Sequence, residues 1–72
     1  MNKNVKKIAV SVGKTVRKNR VRKGMSQSEL AERAGISIST LNRVEAGASC
    51  FRILTLYRIS IALKVEFAIL WK

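Results

Sequence analysis

Seventy-two residues make one domain, and at that length only about 60% of the surface exposed by the unfolded chain is buried on folding. Fifteen Lys and Arg against four Glu leave a formal charge of +11, histidine and aspartate are absent and there is one cysteine. That excludes an internal disulfide, leaves no ligand set for zinc, calcium or magnesium, and provides no His–Ser or His–Cys pair, so neither an enzyme nor any metal or cofactor is expected.

The first helix is predicted from Val5, Ile8, Ala9, Val12 and Val16, which recur at three- and four-residue steps. It runs to about Lys23, and Gly24 ends it in the C′ position. Gly13 interrupts the pattern, so residues 1–10 are also open to reading as a separate basic arm. This stretch carries the charge. Residues 1–25 hold nine cations (Lys3, Lys6, Lys7, Lys14, Arg17, Lys18, Arg20, Arg22, Lys23) and no acid, against six cations and four acids in the remainder. A field of one sign on a folded domain is directed at a polyanion, with nucleic acid ahead of an anionic membrane surface. A hydrophobic content of 47% is too high for a disordered tail. No apolar run of about 18 residues and no signal-peptide pattern is present, and a globular cytoplasmic protein is expected.

Ser26-Gln27-Ser28-Glu29 is a capping box: the Ser26 hydroxyl accepts from the Glu29 backbone N–H, and the Glu29 carboxylate reaches back to the Ser26 N–H. A short helix follows over about 27–34, with Leu30, Ala31 and Ala34 inward, and Gly35 ends it. Ser37 caps the next, over about 38–46, with Leu41 and Val44 inward and Gly47 at its end. After a loop through Cys50, read as an idle thiol, a fourth helix spans about 52–63. The tail 64–72 fits two periods. Val65, Phe67, Ile69 and Trp71 alternate, while helical spacing also links Val65 with Ile69 and Phe67 with Trp71. No capping residue opens it and β-branched and aromatic residues dominate, which favours a short strand over a fifth helix.

Two short helices across a glycine turn, in a basic domain, are the parts of a helix-turn-helix. Ala31 is small where the helices cross, Gly35 permits the positive φ of the turn, and Ile36 and Leu41 fill the angle between them. Helical geometry turns Ile38, Ser39, Asn42, Arg43 and Ala46 away from Leu41 and Val44. Arg43 suits guanine, Asn42 adenine, Ile38 a thymine methyl and Ser39 either kind of contact, and each alternatively meets phosphate or solvent.

In Gly13-Lys14-x-Val16-Arg17-x-x-Arg20, Gly24-Met25-Ser26-Gln27-x-Glu29-Leu30-Ala31, Ala34-Gly35-Ile36-Ser37, Leu41-x-x-Val44-Glu45-x-Gly47 and Thr55-Leu56, the chain resembles the lambda/Cro-repressor-like (XRE-type) helix-turn-helix family over roughly residues 12–63. The resemblance implies an all-α, lambda-repressor-like bundle of about four helices, one domain over 1–72, with the helix from Ile38 in the major groove of double-stranded DNA. It implies a phosphate and recognition-helix contact at Gln27, Lys14, Arg17 and Lys18 on the DNA backbone, and a structural ion pair between Arg20 and Glu45; Ser37, at the start of the reading helix, is a further candidate DNA contact. The function expected is a sequence-specific transcriptional regulator, an autorepressor on a palindromic operator.

The chain departs from the family pattern at Phe51 and Arg52, where a proline and a capping Ser are usual, at Lys64, where a glycine is usual, and at Leu54 and Ile61, where charged residues are usual. The fourth helix already has a core stripe in Ile53, Leu56, Ile59 and Leu63. Leu54, Tyr57 and Ile61 make a second one, which either widens a single core or packs across a homodimer axis. The dimer is preferred, with Phe67, Ile69 and Trp71 joining it from the dimerisation segment 64–72, a terminal strand pairing with its symmetry mate. Segment 55–72 also resembles the end of HipB-type antitoxins, which implies as the alternative an antitoxin that binds a HipA-like toxin kinase. A cationic membrane-active or RNA-binding protein is the remaining reading.

Overall fold

The computed structural model describes residues 3–48 and 52–71, with Lys3 and Trp71 described in backbone only. Four α-helices and a terminal 3-10 helix follow one another: α1 (Lys3–Arg22), α2 (Gln27–Ala34), α3 (Ile38–Glu45), α4 (Ile53–Leu63), then Phe67–Trp71. Helix α1 packs on α3 and on the 3-10 helix, and α2 on α3 and α4. Between them lies one core, with Val12, Val16, Leu30, Leu41, Val44, Leu56, Ile59, Leu63 and Leu70 fully enclosed.

Residues 3–10 are not a separate arm. They belong to α1, which runs unbroken through Gly13. Glycine inside a helix costs about 1 kcal/mol relative to alanine, and packing explains its presence. A Cβ at Gly13 would lie 2.3 Å from the Val44 carbonyl oxygen and 2.9 Å from that of Glu45. The space a side chain would take is occupied by the backbone of α3. One turn earlier the contact is reciprocal, because a Cβ at Gly47 would lie 2.8 Å from Val10 Cγ2.

All four helices close with the same pair of hydrogen bonds and one left-handed residue. The residue after the left-handed one donates its N–H five residues back: Met25 to Arg20, Ile36 to Ala31, Ala48 to Arg43 and Val65 to Ser60. The left-handed position is glycine at 24, 35 and 47 but lysine at 64, with φ 57°. The last of these turns redirects the tail. The strand expected over 65–71 is absent, and Phe67–Trp71 is a 3-10 helix. Alternation sets Phe67 and Leu70 on opposite faces, whereas a three-residue turn sets them on the same one. Leu70 is fully buried, Phe67 packs against the core, and Ile69 faces outward. An isolated strand has no backbone partner in this chain, while a turn that inserts one leucine into the core gains about 1.5–3 kcal/mol of burial. Cys50 and Phe51 lie outside the described residues.

Candidate nucleic-acid interface

The helix-turn-helix is set by local chemistry before any packing. Ser26 Oγ accepts from the Glu29 N–H at 3.0 Å, and Glu29 Oε1 accepts from the Ser26 N–H at 3.4 Å, which completes the capping box. Ser37 Oγ accepts from the Thr40 N–H at 3.0 Å and donates to Thr40 Oγ1 at 2.9 Å, so its hydroxyl is engaged in starting α3. Gly35 turns the chain between them at φ 70°. Its carbonyl accepts from Arg58 of α4 at 3.3 Å, which ties the turn to the rest of the bundle.

Arg20 and Glu45 hold α1 to α3. Arg20 Nε donates to Glu45 Oε2 at 2.8 Å and Nη2 to Oε1 at 3.1 Å, a two-pronged ion pair whose side chains are 12% and 5% exposed. Arg20 Nη1 also donates to the Met25 carbonyl at 2.9 Å, and Gln27 Nε2 donates to Glu45 Oε1 at 3.1 Å. Three helices therefore converge on one carboxylate. The consequence is electrostatic as well as structural: the acid on α3 is neutralised within the protein, which removes its repulsion toward a phosphate.

Around this network lies a cleft of about 610 Å³ lined by Arg17, Arg20, Ser26, Gln27, Asn42, Glu45 and Ala46. The residues expected to touch DNA fall into three places. Arg17, Gln27 and Asn42 share the cleft. Ile38, Ser39 and Arg43 are exposed on α3 outside it. Lys14 lines a different groove, with Lys6, Lys7, Val10 and Ser11, and Lys18 is exposed and lines neither. In the sequence nothing distinguishes Lys6 and Lys7 from the other cations of the basic end. Only the packing of α1 along α3 reveals where they sit. Leu54, Tyr57 and Ile61 are 57%, 51% and 59% exposed, so the second stripe on α4 is uncovered. The Tyr57 ring meets Phe67 edge-on at 6.1 Å, which joins that stripe to the tail. Among the described residues there is no cluster suited to a metal ion and no helix long and apolar enough to cross a membrane.

A helix exposed along one face, seated at a fixed angle on a capped partner helix and flanked by cations, defines a helix-turn-helix protein. The family model described as Helix-turn-helix (HTH_3) matches residues 16–70, and the chain belongs to that family, a DNA-binding regulator rather than an enzyme. Its XRE-type character appears in its structural neighbours. The restriction-modification controller protein C.AhdI from Aeromonas hydrophila superposes with a TM-score of 0.82 at 31% identity, over 86% of this chain and 94% of that one. A hypothetical transcription factor from Neisseria, NHTF, gives 0.85 at 26% identity, over 90% and 75%. A transcriptional regulator of the same family from Vibrio cholerae gives 0.85 at 24% identity, a likeness of fold alone, over 92% of this chain and 37% of that longer one. No curated protein matches the chain.

Proposed function

We propose that the protein is a sequence-specific regulator of transcription that binds double-stranded DNA as a homodimer and represses its own promoter by occluding a palindromic operator. One observation carries the reading. The outer face of α3 is free along its length and the donors of α1 and α2 converge beside it. Asn42 and Arg43 read adenine and guanine edges, while Ser39 and Ile38 complete the surface. Arg17, Gln27, Lys14 and Lys18 contact phosphates and fix the register. The solved neighbour from Aeromonas hydrophila, named a controller protein, supports the regulatory role.

Dimerisation uses the uncovered stripe of Leu54, Tyr57 and Ile61 together with Ile69, Phe67 and Trp71. A helix apolar on two faces of so small a domain leaves one of them for a partner. A two-fold axis then sets two copies of α3 in successive major grooves about 34 Å apart. The reading as an antitoxin with a toxin-kinase partner drew on the pattern of the fourth helix and on a C-terminal strand after it; a 3-10 helix stands in place of that strand, and DNA with a second copy of the chain is the reading proposed.

The test is in vitro selection of bound duplexes. A consensus with two-fold symmetry and half-sites about one helical turn apart is expected. Arg43→Ala is expected to cost about 1–3 kcal/mol and to relax the preference at a single position. Binding to all duplexes alike, with no recoverable consensus, refutes the proposal.

A further inference from the structure

Helix α1 extends past the recognition helix. Arg17 lies with Asn42 in the cleft, Gly13 abuts the carbonyls of Val44 and Glu45, and Val10 abuts Gly47. Followed from Arg20, which pairs with Glu45, toward its N-terminus, α1 therefore crosses the C-terminal end of α3. Lys6 and Lys7 come one turn later. There they line a groove of about 560 Å³ with Val10, Ser11 and Lys14.

We propose that the lysines rimming this groove form a second DNA-backbone site, in which Lys6 and Lys7 reach past its apolar floor to grip the phosphates bordering the C-terminal end of α3, opposite the wall held by Arg17 and Gln27. The inference rests on the DNA-binding reading above and extends it. Three observations support it. From Lys6 to Arg17 the helix rises about 16 Å, more than the roughly 12 Å width of the major groove, so cations on α1 reach both walls when α3 occupies the groove between them. Residues 1–25 contain no acid, and the first turn of α1 carries none. Lysines near the positive end of a helix dipole, clustered around one groove, repel one another and the helix end. That local conflict is relieved by a polyanion and by nothing else in the sequence around them. The groove also continues the cleft along the same helix through Lys14 and Arg17, neighbours at i, i+3.

The experiment is the salt dependence of binding to the selected duplex, for the wild-type chain, Lys6→Gln with Lys7→Gln, and a charge-matched pair, Lys23→Gln with Lys64→Gln, whose residues line neither groove. Each phosphate contact contributes about 0.9 to the slope of log affinity against log salt. In the homodimer the pair is lost from both protomers, four contacts in all, which flattens it by about 3.6, so the fall in affinity between about 50 and 200 mM salt becomes about 150-fold smaller than for the wild type. The selected consensus is expected to stay the same, Lys6→Arg with Lys7→Arg to keep the wild-type slope, and circular dichroism to show an unchanged fold. The inference is overturned if the Lys6/Lys7 pair leaves the slope as it was, or if the Lys23/Lys64 pair flattens it equally, which would assign the effect to net charge. Those results leave the regulator reading standing. A wild-type chain that binds no duplex overturns both.

Discussion

Replacing Gly13 by alanine sets two effects of opposite sign against each other. Helix propensity favours the change by about 1 kcal/mol, since α1 is helical on both sides of the position. Packing opposes it. The new methyl would lie 2.3 Å from the Val44 oxygen, about 1 Å inside an ordinary contact, with the Glu45 oxygen at 2.9 Å behind it. Both are backbone atoms, so no side chain can rotate away. The Val44 carbonyl is held as well by the Gly47 N–H at 3.1 Å, at the turn that closes α3. Overpacking of this kind costs about 1–3 kcal/mol, and an overlap on fixed backbone belongs at the upper end of that range. The net expectation is a loss of about 2 kcal/mol, which for a domain of this size lowers Tm by about 8–16 °C. Thermal unfolding followed by circular dichroism measures it, with Ser11→Ala, exposed on the same helix, as the propensity control. DNA affinity should fall further than the stability loss explains, because α3 must move away from α1 to make room. A Gly13→Ala protein that melts at or above the wild-type temperature refutes the packing argument.

Removing one partner of the buried Arg20–Glu45 pair should cost about 3–5 kcal/mol, since Arg20→Met strands a carboxylate that is 5% exposed. Adding Glu45→Leu should restore much of it in denaturant titrations, and a double variant no more stable than the single one means the pair does not carry α3. At Lys64 the backbone is left-handed without a glycine, so Lys64→Gly should stabilise by up to about 1 kcal/mol, seen as a higher denaturation midpoint at unchanged m-value. Arg52 opens α4 with no side-chain cap bond, and Arg52→Ser should add about 1 kcal/mol by the same assay. Leu54→Glu with Ile61→Glu should make sedimentation independent of concentration, weaken operator binding and lower the melting temperature to a value that no longer depends on protein concentration. An unchanged sedimentation profile in both proteins would remove α4 from the interface.

Much of the site could be read from the sequence because its signals are local. The Ser26–Glu29 box, the Ser37 cap and the Gly35 turn act within four residues, and the structure begins and ends α2 and α3 within one residue of where those signals place them. The outer face of α3 follows from helical period once Leu41 and Val44 are inward. The Arg20–Glu45 pair, 25 residues apart, was legible only through resemblance to a family. The tail is ambiguous in sequence because its side chains satisfy two periods at once. Alternation of Val65, Phe67, Ile69 and Trp71 describes a strand in the abstract yet supplies no backbone partner, and it sets Leu70, a fully buried core residue, on the opposite face.

Composition and periodicity by themselves determined a basic chain, the two capped helices of a helix-turn-helix and which residues form the outer face of α3, because charge, caps and helical period are properties of neighbouring residues. The tertiary structure decided the rest. It showed that Gly13 is a contact point with α3 and no break in α1, that the Lys64 turn folds the tail inward to bury Leu70, and that Lys6 and Lys7 stand beyond the end of α3. Each of these depends on which backbone lies next to which, a long-range arrangement that short-range patterns do not encode.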